Sequence, residues 1–241
     1  MSAAPDFRYR FAPSGCGGLS LDVAGAEVLC RPSGGLWIEA ERALVVADLH
    51  FEKGSSYAAR GQLLPPYDTA ETLRRLEAEI EILSPDLLVL LGDSFHDGAA
   101  EDRLAPALAA RIAGLAAGRR LVWVVGNHDA DGPRTLPGDV VEGIELAGLD
   151  LRHEPEGRPV RGEVSGHLHP CARVVGRGQS VRRRCFVTDG ERIVLPAFGA
   201  YAGGLNVRDP ALADLFVRAP IVGCLGRDRV HAVGWKTLGG D

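Results

Sequence analysis

The sequence predicts an α/β layered sandwich: two mixed β-sheets packed together and flanked by helices. Three observations predict it. The runs "ALVVADLH", "DLLVLLGD" and "RRLVWVVGNHD" are continuously apolar before they pass into polar residues, the pattern of strands buried on both faces. Two segments with helical spacing separate these runs, giving a βαβαβ order. The second half turns to short strand-like segments broken by turn residues, which predicts a second sheet lying on the first.

The elements follow in chain order. "EVLC" and "GLWIEA" read as short strands joined by the turn "RPSGG". "ALVVADLH" is the first buried strand. In "YDTAETLRRLEAEIEIL", Leu73, Leu76, Ile80 and Leu83 share one helical face, and Asp68 with Glu71 signals the start. "DLLVLLGD" is the second buried strand. "EDRLAPALAARIAGLAAG" is a second helix ended by Gly118, and Pro106 makes it start late or kink. "RRLVWVVGNHD" is the third buried strand. "DVVEGIELAGLDLRHEP", "RPVRGEVSGHLHP" and "ARVVGRGQSVRRRCFVTDGERIVLPAF" supply the strands of the second sheet. With no repeat, low-complexity tract or long linker, residues 1–241 read as one domain.

A chain of 241 residues buries a full core without disulfides or a structural metal, so a metal here would be functional. The net charge of −5 excludes bulk attraction to nucleic acid, and contact would need a local basic patch. Cys16, Cys30, Cys171, Cys185 and Cys224 form an odd set without a C-x-x-C pair. That argues against a disulfide framework and for a reducing compartment. "MSAAPDFRYRFAPSG" carries charges and prolines where a signal peptide needs an apolar run. No stretch approaches the ~18 apolar residues of a membrane span. The expected location is cytoplasmic, with no membrane partner.

The three buried strands end in metal-competent residues. The first ends in Asp48 and His50, the second in Asp93, His96 and Asp97, the third in Asn127, His128 and Asp129. Ligands of α/β sheets bind at such carboxyl ends. The second half adds His153, then His167 and His169, whose spacing aims two imidazoles to one side of an extended segment. Each residue alone has a structural alternative. Asp48 could cap a helix, Asp93 could sit in a turn, His128 could bond within its loop, and His153 could end a strand. Jointly, six of the seven histidines fall at predicted strand ends, which scattered histidines would not do. Carboxylates, imidazoles and an amide oxygen, with no cysteine, make a mixed O/N donor set. It suits Mn, Fe, Zn or Mg and not a closed structural zinc. The donors exceed what one ion uses.

The ordered motifs D-x-H, GD-x-x-H, GNHD, a single His and GH-x-H resemble the calcineurin-like metallophosphoesterase superfamily from Asp48 to His169. The resemblance implies a metallophosphoesterase-type layered sandwich with two divalent ions, Mn²⁺ first among the candidates. One ion would be held by Asp48, His50, Asp93 and His169. The other would be held by Asp93, Asn127, His153 and His167, with Asp93 bridging. His128 would contact the phosphate and assist the leaving oxygen. His96 stands where the phosphoprotein phosphatases of the family carry an orienting Asp, and it is read with His128 as catalytic. The "GDSFH" form is similar to nuclease-type members. "ADLHFEKG", "HEP…GHLHP" and "LPAFGAYAGG" resemble the bacterial ligase-associated DNA damage response endonucleases of the PdeM type. Those are grouped with a DNA ligase, a helicase and a second nuclease.

The function this implies is a two-metal phosphodiesterase acting as a DNA endonuclease in repair, on single-stranded DNA, through a metal-bridging hydroxide. A hydrolase of small phosphodiesters, nucleotides or phosphomonoesters is the alternative. A non-catalytic scaffold is disfavoured because every ligand position and His128 are present. For substrate contact, Arg173, Arg177, Arg182, Arg183 and Arg184 form a basic stripe after "GHLH". Of these, Arg182, Arg183 and Arg184 are the candidate substrate-binding residues, against the alternative of a solvated hairpin. Phe198 and Tyr201 could stack on a base or be core. Lys53 and Arg60 could reach a phosphate or be solvated. Asp97 and Asp129 could orient His128 or other ligands, or only cap loops.

Overall fold

A computed structural model describes residues 11–62, 64–158, 160–176 and 179–240. The start of the N-terminal stretch and Arg177 of the basic stripe lie outside the described residues.

The first sheet holds β1 (Phe11–Pro13), β2 (Leu19–Val23), β3 (Ala26–Cys30), β4 (Leu36–Ile38), β5 (Ala43–Ala47), β6 (Leu87–Leu91), β7 (Arg120–Val124) and β8 (Asp139–Val141). These strands lie side by side in chain order. β1 to β5 pair antiparallel, and β5 to β8 pair parallel. The parallel strands are the three apolar runs and their neighbour. Parallel pairing demands crossovers, supplied by α1 (Lys53–Ala59) and α2 (Asp68–Leu83) between β5 and β6, and by α3 (Ala100–Arg103) and α4 (Pro106–Gly114) between β6 and β7.

The second sheet comprises β9 (Gly143–Leu146), β10 (Leu149–Arg152), β11 (Glu163–Ser165), β12 (Pro170–Gly176), β13 (Gln179–Thr188), β14 (Arg192–Val194), β15 (Leu205–Asn206), β16 (Ile221–Leu225), β17 (Val230–Gly234) and β18 (Leu238–Gly239). Its main path runs β15-β12-β13-β14-β11-β10-β9, with β16, β17 and β18 attached beside it. It is mixed: β10, β11 and β14 are parallel neighbours, and the others except β12–β15 pair antiparallel. The expected sandwich of two mixed sheets with flanking helices is the architecture observed.

Both faces of β5, β6 and β7 are buried, as their apolar runs require. Val45, Ala47, Val89, Leu91, Val122 and Val124 face Leu149, Leu151, Val164, Phe186 and Ile193 of the second sheet. Leu44, Val46, Leu88, Leu90 and Trp123 face Leu73 and Leu76 of α2 and Ile112 of α4. The outer face of the second sheet is covered in part by α5 (Pro210–Ala213) and the segment after it, through Leu212, Leu215 and Phe216.

Two local expectations change. The helix read over "EDRLAPALAARIAGLAAG" is two helices, because Leu104 and Ala105 adopt extended ψ angles of 125° and 139° before Pro106. A residue preceding proline is pushed out of the α region, and Pro106 then opens α4 without an amide to satisfy. α4 stops at Gly114, a turn short of Gly118. Asp68 does begin α2, but its carboxylate accepts the Gly54 amide at 3.0 Å. It joins α1 to α2 instead of capping its own helix.

Candidate metal centre

The ladder between β5 and β6 continues past the strand ends. His50 donates its amide to the Asp93 carbonyl at 2.9 Å, Phe51 to Ser94 at 2.8 Å, and His96 back to Phe51 at 3.0 Å. From the segment after β14, Phe198 donates to the Ala47 carbonyl at 2.8 Å and Gly199 to the Asp48 carbonyl at 3.1 Å. The motif residues therefore stand on hydrogen-bonded backbone at the carboxyl edge of the parallel strands, where both sheets meet.

The backbone there is unusual. Asp48, His50, Asp93, His167 and His169 have φ between 47° and 65°. This left-handed region costs an ordinary side chain about 1 kcal/mol or more, and such residues concentrate at functional sites. The glycines of the motifs have a steric reason. A Cβ on Gly92 would lie 2.1 Å from His153 Nδ1, and one on Gly126 2.3 Å from the Asp93 amide nitrogen and Oδ1. One on Gly166 would lie 2.6 Å from Asp48 Oδ2. Each GD, GN or GH pair thus lets a neighbouring side chain of the centre approach the chain. Sequence reading missed these glycines; the signal was their position directly before each motif.

Seven of the sequence-predicted residues converge in two groups. In the first, His50 Nε2 is 3.1 Å from His169 Nε2, and His169 Nε2 is 3.4 Å from Asp48 Oδ1. In the second, Asn127 Oδ1 is 2.9 Å from His167 Nδ1 and 3.1 Å from His153 Nε2, while His153 Nε2 is 3.3 Å from Asp93 Oδ1. Asp93 turns its other oxygen toward the first group, 3.9 Å from His50 Nε2. Asp48 also accepts the His167 amide at 3.1 Å. His153 donates Nδ1–H to the Leu91 carbonyl at 3.3 Å, which leaves Nε2 as the inward lone pair. The turn after His153 is held by Arg192, which donates to the Glu156 and Arg158 carbonyls, and by Glu163, which accepts the Glu156 amide.

The electrostatics suit cations. Asp48 and Asp93 are buried carboxylates, which need a compensating positive charge. Burial, with His169, His128 and Lys53 charges beside it, pushes His50 down to about 2, so this imidazole is a neutral donor. Burial alone would raise Asp93, but the His153 hydrogen bond and charge carry it down to about 2. Burial works against protonated His153, yet the Asp93 hydrogen bond and the Asp48 charge raise it. Protons or a cation must sit between Asn127 Oδ1, His153 Nε2 and His167 Nδ1, because their lone pairs face one another. A divalent ion in each group satisfies these donors together, so the residues fit a metal pair.

His128 stands beside both groups. Its amide donates to Asp93 Oδ1 at 2.9 Å, and its Nδ1–H donates to the His96 carbonyl at 2.7 Å. Nε2 is thereby left to face the centre, 3.9 Å from Asp93 Oδ2. The His96 ring stacks on His128 with centroids 5.4 Å apart. Burial, then the Lys53 and His128 charges, push His96 down to about 4. Its Nδ1 has no hydrogen-bond partner among the described residues, and His50, His96 and His128 form a third ring group.

Other expectations divide. Asp129 accepts the Phe95 amide at 3.0 Å and the Gly126 amide at 2.9 Å, so it ties the two loops together and does not orient His128. Asp97 pairs with Arg103 at 2.9 Å. The three arginines do not form one surface, because strand alternation sends Arg183 away from Arg182 and Arg184. Arg184 is mostly buried and donates to the Ala197, Phe198 and Gly199 carbonyls. Arg182 donates to the Gly204 carbonyl, and Gly204 packs against the His169 carbonyl. Phe198 is fully buried beneath the Arg75 guanidinium and cannot stack on a base, while Tyr201 is half-buried.

The chain matches the model of the calcineurin-like phosphoesterases over residues 41–225. It belongs to that family. Among solved structures it is similar to Pseudomonas putida nuclease MPE, with 30% identity, a TM-score of 0.69, and 90% of this chain aligned to the whole of that one. A more distant likeness is to Yfce, a phosphoesterase from E. coli, at 18% identity and a TM-score of 0.37, covering 80% of this chain and 98% of that one. No curated protein sequence matches the chain.

Proposed function

We propose that this protein is a two-metal phosphodiesterase that cuts DNA internally, working with Mn²⁺. The observation that carries the reading is the pair of donor groups sharing Asp93, with His128 Nε2 3.9 Å from the Asp93 carboxylate. Asp48, His50, Asp93 and His169 would hold one ion, and Asp93, Asn127, His153 and His167 the other. When bound, the ions would activate a water and neutralise charge on the phosphate.

The chain's own residues supply the rest. The His96 carbonyl keeps the Nδ1 proton of His128 engaged, so proton exchange with the substrate occurs at Nε2. Protonated there, His128 donates to the leaving oxygen, a contribution typically worth ~10²–10⁴-fold. The stacked His96 ring limits how His128 can turn. The 30%-identical nuclease supports nucleic acid as the substrate. The "HEP…GHLHP" and "LPAFGAYAGG" segments favour the PdeM type, and with it a role in DNA repair beside a ligase, a helicase and a second nuclease. The whole of residues 1–241 would act as one domain. Free cysteines and the lack of a helix long and apolar enough to cross a membrane among the described residues agree with work in the cytoplasm.

The test is circular single-stranded DNA incubated with Mn²⁺-loaded protein, beside EDTA and His128→Ala controls. Metal-dependent linearisation abolished in His128→Ala supports the reading. Release of inorganic phosphate from monoesters without linearisation would replace it.

A further inference from the structure

Three sides of the centre differ in charge. Beside Asn127 and His153 lies a cavity of about 460 Å³ lined by Glu142, Asp150 and Glu154, and its one cation, Arg152, is already paired with Asp150 and Glu156. Beside His128 lies another of about 230 Å³, lined by Asp97, Glu101, Asp129 and Asp131, where Arg134 is paired with Glu101. Both walls repel a polyanion. The wall made by α1 does not.

Lys53 and Tyr57 stand four residues apart on α1 and so share a face. Lys53 Nζ lies 6.0 Å from the Tyr57 ring centroid, Tyr57 lies 5.8 Å from His96, and His96 lies 5.4 Å from His128. Lys53 thus meets this ring array at one end, and His128 closes the other. The ammonium is half-buried and has no ion-pair partner among the described residues. The acid that acts on it, Asp68, accepts the Gly54 amide on one carboxylate oxygen. A cation without an ion-pair partner beside a donor set suited to cations is electrostatically unfavourable. An anion lying between them reverses the sign.

We propose that Lys53 holds a backbone phosphate adjoining the scissile one, so that α1 is the side along which a polynucleotide enters and the preference for polymer over small diesters is set there. This rests on the phosphodiesterase reading above. The contact is a point charge on a phosphate, for which a lysine suffices.

The experiment compares wild type, Lys53→Ala, Lys53→Arg and Lys236→Ala, the last at the chain's only other lysine, exposed near the C-terminus. Binding of a fluorescent single-stranded oligonucleotide is measured in EDTA across salt concentrations. Steady-state kinetics with Mn²⁺ follow on that oligonucleotide and on bis(p-nitrophenyl) phosphate. Lys53→Ala should raise KM for the oligonucleotide roughly three- to tenfold at low salt and flatten the salt slope of binding by about one charge. It should leave kcat/KM for the small diester within about twofold, with Lys53→Arg restoring the polymer. Lys236→Ala should match wild type. Equal losses on both substrates, or an unchanged salt slope, overturn the proposal. So does a wild type that cleaves the small diester but neither binds nor cuts the oligonucleotide, although the phosphodiesterase reading then stands. A wild type inactive on both with every metal ends that reading and this one together.

Discussion

Replacing Gly92 by alanine separates the two donor groups. The new Cβ would lie 2.1 Å from His153 Nδ1, where non-bonded atoms in contact keep roughly 3.5 Å. The imidazole must therefore move by more than an ångström. Ligand distances at metal sites tolerate only about 0.2 Å, so His153 leaves its group. Gly92 also has φ at +74°, a conformation that costs alanine about 1–2 kcal/mol. That is a small part of the roughly 5–15 kcal/mol of a typical domain, and the fold survives. The second group loses a donor. The three atoms nearest the new methyl all belong to His153, none to the first group's Asp48, His50 or His169. Gly92→Ala loaded with Mn²⁺ should hold about one ion per chain by elemental analysis where wild type holds two, with an unchanged far-ultraviolet circular dichroism spectrum. Two tightly held ions in the variant would refute the assignment of His153 as a ligand.

Three further outcomes follow from the geometry. His128→Ala should keep its metal content while turnover falls ~10²–10⁴-fold, read from phosphodiester hydrolysis beside elemental analysis. Asp129→Ala strips the Phe95 and Gly126 amides of their acceptor; at about 1–3 kcal/mol for each orphaned donor, urea unfolding should show a loss of about 2–6 kcal/mol. In metal-free protein, NMR titration should find His50, held down to about 2, uncharged at pH 5 and His153 keeping its proton above its ordinary value. The signs oppose. The unfolded chain protonates His50 below about pH 6.5 and the fold does not, so that contribution falls as pH drops. The contribution of His153 is fully present below about pH 6.5 and is lost as pH rises through its raised folded value.

Much of this was legible in the sequence because the parallel strands advertise themselves. "ALVVADLH", "DLLVLLGD" and "RRLVWVVGNHD" are apolar on both faces, and each passes into polar residues at the edge where α/β sheets bind ligands. The convergence of Asp48, His50, Asp93, Asn127, His153, His167 and His169 was legible for the same reason, since strand ends bring distant positions together. What was not legible depended on which atoms meet. Strand alternation divides Arg182 from Arg183, and only the fold shows Arg184 turned onto the Ala197–Gly199 carbonyls. Phe198 reads equally as a stacking residue or as core until Arg75 is seen above it. Asp129, an even choice between orienting and capping, is decided by two amide donors. The long helix broke at Pro106 because the residue before a proline leaves the helical region.

The central claim is a pair of ions sharing Asp93, and electron paramagnetic resonance of Mn²⁺-titrated protein tests it most directly. The account predicts uptake of two ions per chain and an exchange-coupled spectrum, with Asp93→Asn reducing it to the signal of isolated Mn²⁺. Wild-type protein that saturates at one ion per chain with only the isolated signal would contradict it.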